Sequence, residues 1–226
     1  MPAEQAGFGR LRIGATLTIG NYLATLIVAD YLKRHPESSA QLQVHNTATI
    51  IDQVARYDLD LGLIEGNCRH PDLVAEPWVA DELVVFCAPT HRLATKGVAT
   101  LADLADEHWI VREPGSGTRE TLDQAMRLHH FELRARLELE HTEAIKRAVE
   151  FGLGIGCISR LALREAFRRG SLVAIETPEL ELLRHFQFLW HKRKFQTAGM
   201  QEFISLCRGM TAGIRRSDQI ELPHIP

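Results

Sequence analysis

Apolar positions recur along this chain in two alternating rhythms, one of period two and one of three to four. The first marks half-buried strands and the second amphipathic helices. Strands are predicted at 11–15 (LRIGA), 42–45 and 59–64, and helices at about 20–34, where Pro36 stops the pattern, and at 50–57. Two further strand-like runs lie at 73–79 and 83–87. Residues 88–91 (APTH) then interrupt the apolar run, and the alternation begins again. Strands at 108–111, 137–140, 155–158 and 172–175 are interleaved with helices at 118–128, 143–151 and 161–169. A strand at 185–191, with Phe186, Phe188 and Trp190 at every second position, and a helix at 200–210 close the pattern. This order predicts an α/β fold of two similar units, each a mostly parallel sheet faced by helices. The expected division is 10–87 for the first part of lobe I, 88–187 for lobe II and 188–212 for the return to lobe I. The polar ends, 1–9 and 213–226, are expected to be a linker remnant and a loose tail.

Composition narrows the function classes. The 226 residues carry a net charge of −3, without the basic surplus or stripe of a free-standing nucleic-acid binder. The basic clusters at 192–194, 168–169 and 215–216 are short and read as solvated element ends. Four scattered cysteines, three of them in apolar runs, form no CxxC pair, so they read as buried free thiols of a reducing compartment. The polar start lacks the apolar core of a secretion signal, and no apolar run approaches the roughly 18 residues of a membrane span. A cytoplasmic protein is expected.

Candidate chemistry concentrates where strands give way to helices. REPGSGTR, residues 112–119, follows one strand and precedes one helix. Its glycines allow close backbone approach, and Ser116, Gly117, Thr118 and Arg119 could present hydroxyl, amide and charge to an anion at the helix start. A plain capped loop explains the same residues. ATLTIG, residues 15–20, repeats the form with Thr16 and Thr18, and EHTEA, residues 140–144, with His141 and with Thr142 as the expected N-cap. Glu65 follows the strand at 59–64, as part of a cleft mouth or a polar turn. Ligands of open α/β sheets bind beyond the carboxyl ends of strands, so these turns converge on one expected cleft. GLGIG at 152–156 ends a helix and precedes a strand, the reverse of a dinucleotide fingerprint, and reads as a helix C-cap and tight turn. No G-x-S-x-G, HExxH or Walker A motif occurs, and the eleven histidines show no ligand pairing, so neither a metal nor a cofactor is expected. His141 and Glu143 could act as acid and base, but no nucleophile accompanies them.

These segments carry a resemblance. LRIGATLTIGNYLATLIVADYLKRHP, DLDLGLIEG, FCAPTHRL and HTEAIKRAVEFGLGIGCIS are together similar to the C-terminal effector-binding domain of LysR-type bacterial transcriptional regulators, over about residues 10–212. The REPGSGTR form resembles the branch that includes regulators of sulfur assimilation and carbon fixation. The resemblance implies two Rossmann-like lobes with a hinge, in a periplasmic-binding-protein-like (type 2) fold, with a small effector in the interlobe cleft. It implies a homodimer, a tetramer at full length, and DNA contact only through an N-terminal winged helix-turn-helix absent from this chain. Effector contacts carried over by position are Thr16, Thr18, Ser116, Gly117, Thr118, His141 and Thr142. Glu65 stands where many members have a smaller residue. Alternatives on the same fold are a solute-binding protein and a small-acid enzyme of dehydratase or transferase type. Turnover of small carboxylates would mark the enzyme.

Overall fold

The computed structural model describes residues 8–221, which fall into two compact units, 8–80 with 185–221 and 81–184. In the first unit β1 (Arg10–Ala15) leads into a helical stretch made of α1 (Leu17–Ile19), one π turn (Gly20–Ala24) and α2 (Thr25–Arg34). Then come β2 (Ser39–Val44), α3 (Thr47–Ala55) and β3 (Leu61–Glu65). The strands lie in the order β2-β1-β3-β9, parallel except for the antiparallel β9 (Leu183–His191). Every residue of β3 is buried, so it is apolar nearly throughout instead of alternating, as a strand covered on both faces must be. Ile50, Val54, Leu59, Ile64 and Leu189 pack together against the sheet, and α9 (Ala198–Met210) returns beside α2.

The second unit takes its outer strands from β4 (Leu73–Cys87) and β8 (Val173–Ile175), antiparallel to their neighbours. The sheet continues through β7 (Ile155–Ser159) and β5 (His108–Arg112) to the edge strand β6 (Arg134–Leu139), these three mutually parallel. Helices α6 (Gly117–Arg127), α7 (Thr142–Glu150) and α8 (Arg160–Arg169) follow β5, β6 and β7 directly. Two short helices, α4 (Arg92–Lys96) and α5 (Leu101–Ala105), were not predicted, being too brief for a period to register. Trp109, Leu122, Met126, Ile155 and Cys157 centre the core.

The chain passes between units at Ala80/Asp81 and Arg184/His185, earlier than the expected 88 and 188. The two predicted runs at 73–79 and 83–87 are one strand, β4, which continues unbroken through the first passage. A strand shared by two units keeps its apolar pattern across the boundary, so no break marks it. The expected crossing at 88–91 is the turn into α4. The loose tail is also corrected: Ser217–Gln219 form a 3-10 turn, Arg216 bridges to Ala80, and Ser217 and Ile220 are fully buried. Residues 222–226 and most of the expected linker lie outside the described residues. Phe8, at the linker's end, packs edge-on against His35 at 4.6 Å.

One carboxylate fastens the amino edge of the first unit's sheet. Asp60 accepts from the Arg12 amide at 2.7 Å and its guanidinium at 2.9 Å, and pairs with Lys194 at 2.6 Å. Burial raises its pKa, but the bonds from Arg12 and Lys194 prevail and bring it to about 2. A folded pKa below the unfolded one means stability present above about pH 4 and lost as pH falls toward 2. Asp60→Asn is therefore expected to remove about 2 kcal/mol at pH 7 and to flatten the loss between pH 4 and 2. Urea melts at pH 7, 4 and 2.5 check this, and an unchanged pH slope would refute it.

Candidate functional site

In the first unit the turn after β1 and the end of β3 come together. The Thr16 amide and hydroxyl both donate to the Leu63 carbonyl, at 3.0 and 3.4 Å, which holds the start of α1 against β3. The Thr18 amide donates to Glu65 Oε1 at 2.8 Å, and the Thr47 hydroxyl, at the start of α3, to the Glu65 carbonyl at 3.4 Å. Thr16, Thr18 and Glu65 are all buried. The Thr18 amide, expected to face an effector, thus meets the protein's own carboxylate. Thr16, Thr18 and Glu65 lie together, and the acceptor on the Thr18 amide is a carboxylate of the protein itself.

In the second unit Gly115, in the left-handed region at φ 92°, turns the chain after β5, and Ser116 caps α6 by accepting from the Arg119 amide. Gly117 and Thr118 form the first helical positions and are buried. Arg112 and Glu113 just before the turn satisfy each other through two bonds of 2.8 and 3.0 Å. Arg119 departs from expectation. Its guanidinium bonds to Asp123, to the Arg112 carbonyl and to Glu138, so it braces α6 against the strand ends. After β6, His141 takes the N-cap position of α7 without a side-chain cap bond, and Thr142, expected as the cap, is the first helical residue. Thr142 is buried and His141 exposed.

Residues that the sequence pattern missed lie behind Thr118. Arg184 Nη1 donates to Thr118 Oγ1 at 3.0 Å and Nε to Asp81 Oδ2 at 2.8 Å, and Ser159 Oγ donates to Asp81 Oδ1 at 2.6 Å. Ser159 also caps α8 by accepting from the Leu161 amide. The only sequence signal was a charge inside an apolar strand, in VADELV and LLRHFQF, a position that charges occupy only when paired.

Among the described residues no group of three or more His, Cys, Asp and Glu side chains is arranged to hold a metal ion. Burial pushes the Cys87 thiol up to about 11 and Cys157 up to about 12, so neither offers a thiolate nucleophile. The first unit's cluster presents hydroxyls and a buried carboxylate, and the second unit's turns present hydroxyls and helix-start amides.

The profile of the LysR substrate binding domain matches residues 4–212. The chain belongs to this LysR family. The HTH-type transcriptional regulator YeiE of Escherichia coli K12 is 39% identical over 199 residues, spanning 88% of this chain and 68% of that protein. CysL of Bacillus subtilis, also an HTH-type transcriptional regulator, is 28% identical over 88% of this chain and 67% of its own length. The regulatory domain of CcmR from Synechocystis PCC6803, solved with 2-PG, superposes with a TM-score of 0.85 at 28% identity, covering 92% of this chain and 100% of that domain. The LysR effector-binding domain has the type 2 periplasmic-binding-protein-like fold, and this chain has that fold and is such a domain. The relatives are transcriptional regulators, and no described helix is long and apolar enough to cross a membrane.

Proposed function

We propose that this LysR domain senses a small anion and binds it without transforming it. The charged group is taken by the Ser116–Thr118 turn and Thr142 of the second unit. The observation that carries this reading is the buried Glu65 carboxylate on the Thr18 amide, 2.8 Å away. It makes the first unit's cluster an acceptor, hostile to an ionised group, whereas the second unit's turns offer donors. A helix start stabilises a partly buried anion by up to about 2 kcal/mol. Two or three charge-assisted bonds of about 1.5–3 kcal/mol each bring affinity to the micromolar range after association costs. The CcmR complex with 2-PG supports the choice of probes. An exposed His141 and an Arg119 engaged elsewhere lend charge only at the rim.

The test is calorimetry of the protein with 2-phosphoglycolate, glycolate and shikimate, and with the Thr16→Ala, Thr118→Ala and Thr142→Ala variants. Thr118→Ala and Thr142→Ala are expected to weaken binding about tenfold or more, one charge-assisted bond each. Thr16→Ala, whose hydroxyl holds β3, should act less. A cationic or wholly apolar effector, or three variants that bind unchanged, would sink the reading.

Self-association of this cytoplasmic regulator, and contact with DNA through a winged helix-turn-helix elsewhere in the full-length protein, belong to the same proposal. Ile27, Leu161 and Leu163 are buried within their own units. The half-buried Leu26, Val28 and Leu32 of α2 and Phe167 of α8 are the faces that support a homodimer instead. A strictly monomeric mass by light scattering at tens of micromolar would count against it.

A further inference from the structure

Asp81 and Arg184 are the first and last residues of the second unit, and their side chains are 0% and 3% exposed. From them a line of four side chains runs along the carboxyl edge of the sheet. Ser159 at the head of α8 donates to Asp81, Asp81 accepts from Arg184 Nε, and Arg184 Nη1 donates to the hydroxyl of Thr118 in the first turn of α6. We propose that Arg184 is the positioning residue of the anion half-site: it fixes the Thr118 hydroxyl and brings positive charge one hydrogen bond behind the bound group. This rests on the reading that the Ser116–Thr118 turn takes an anion.

Three physical points support it. A threonine hydroxyl is a rotor, and a charged donor at 3.0 Å fixes its oxygen. A hydroxyl that accepts from a cation becomes a stronger donor in its turn, because bonds in a chain polarise one another in a low-dielectric interior. Finally, the arrangement needs an arginine. Nε and Nη1 of one rigid fork serve two partners at once, which the single ammonium of lysine cannot reproduce. Asp81 and Ser159 hold the fork.

Calorimetry of the full chain with 2-phosphoglycolate and with glycolate, which lacks the phosphate charge, tests the proposal. Arg184→Met alone leaves Asp81 buried without its cation and invites unfolding, so the decisive variant is the neutral pair Asp81→Asn with Arg184→Met. It is expected to melt near the wild type, to bind 2-phosphoglycolate at least about tenfold more weakly, and to lose less for glycolate. Wild-type affinity in this variant, or equal losses for both probes, would mark the pair as structural only and overturn the inference. If the pair does not fold, Arg184→Lys decides: intermediate affinity for 2-phosphoglycolate is expected, and undiminished affinity overturns it. A wild type that binds neither probe sinks the anion reading itself, and this inference with it.

Discussion

Asp81→Ala is expected to destabilise the domain by about 3–5 kcal/mol, the cost of removing one partner from a buried ion pair. The Arg184 guanidinium, 3% exposed, would remain in the interior without the carboxylate that its Nε faces at 2.8 Å. Ser159, which donates to the same carboxylate at 2.6 Å, would lose its acceptor too. Relocating the arginine to water would pull on β9 at the point where the chain leaves the second unit, so escape is not cheap. The domain as a whole stands to lose a large part of the roughly 5–15 kcal/mol that a folded protein has in hand. Urea denaturation at neutral pH reads this directly. A loss under about 1 kcal/mol, the range of exposed pairs, would show that solvent reaches the pair and that its burial is not what matters. The effect of the neutral double replacement should be much smaller, since neither charge is then left alone.

The same pair marks where the sequence could and could not be read. Element types followed the apolar rhythm because each strand and helix buries one face, and the rhythm is a direct record of that burial. β1, β3 and β5 and the helices after β1 and β5 therefore lie within a few residues of expectation. The unit boundary did not show, because β4 is one strand of 15 residues running through it and a strand looks the same on both sides. The clusters at Thr16–Glu65 and Ser116–Thr118 were legible as strand ends with hydroxyls. Their partners were not. Glu65 and Thr18 are 47 positions apart and Thr118 and Arg184 66 apart, and local patterning carries no trace of such distant pairings. Arg119 shows the converse error. A cation beside a glycine-rich turn fits an anion site locally, but the nearer carboxylate of Asp123, one helical turn on, captures it.

Gly154→Ala is expected to cost about 3 kcal/mol or more, at the upper end of what overpacking costs. Gly152 and Gly154 lie two residues apart in one turn, yet they are there for different reasons. Gly152, at φ 78°, ends α7 in a left-handed cap, with its amide on the Val149 carbonyl and the Leu153 amide on the Ala148 carbonyl. A Cβ added at Gly152 would meet nothing within 4 Å, so alanine there costs only the strain of the left-handed conformation, about 1–2 kcal/mol. A Cβ on Gly154 would stand 2.1 Å from the His108 carbonyl oxygen and 2.9 Å from its carbon. Those are backbone atoms, with no rotamer to turn. They belong to the first residue of β5, whose next residue, Trp109, pairs with Ile155, the residue after the glycine. Relief therefore requires β5 and β7 to separate where they begin, at the fully buried Trp109 of the second unit's core. Strand separation would also disturb the far ends of β5 and β7, from which the Ser116–Thr118 turn and Ser159 are held, so effector affinity should fall along with stability. Thermal melts of Gly152→Ala and Gly154→Ala side by side test the distinction. Equal losses would mean that backbone conformation, and not the close approach to His108, selects glycine at both positions.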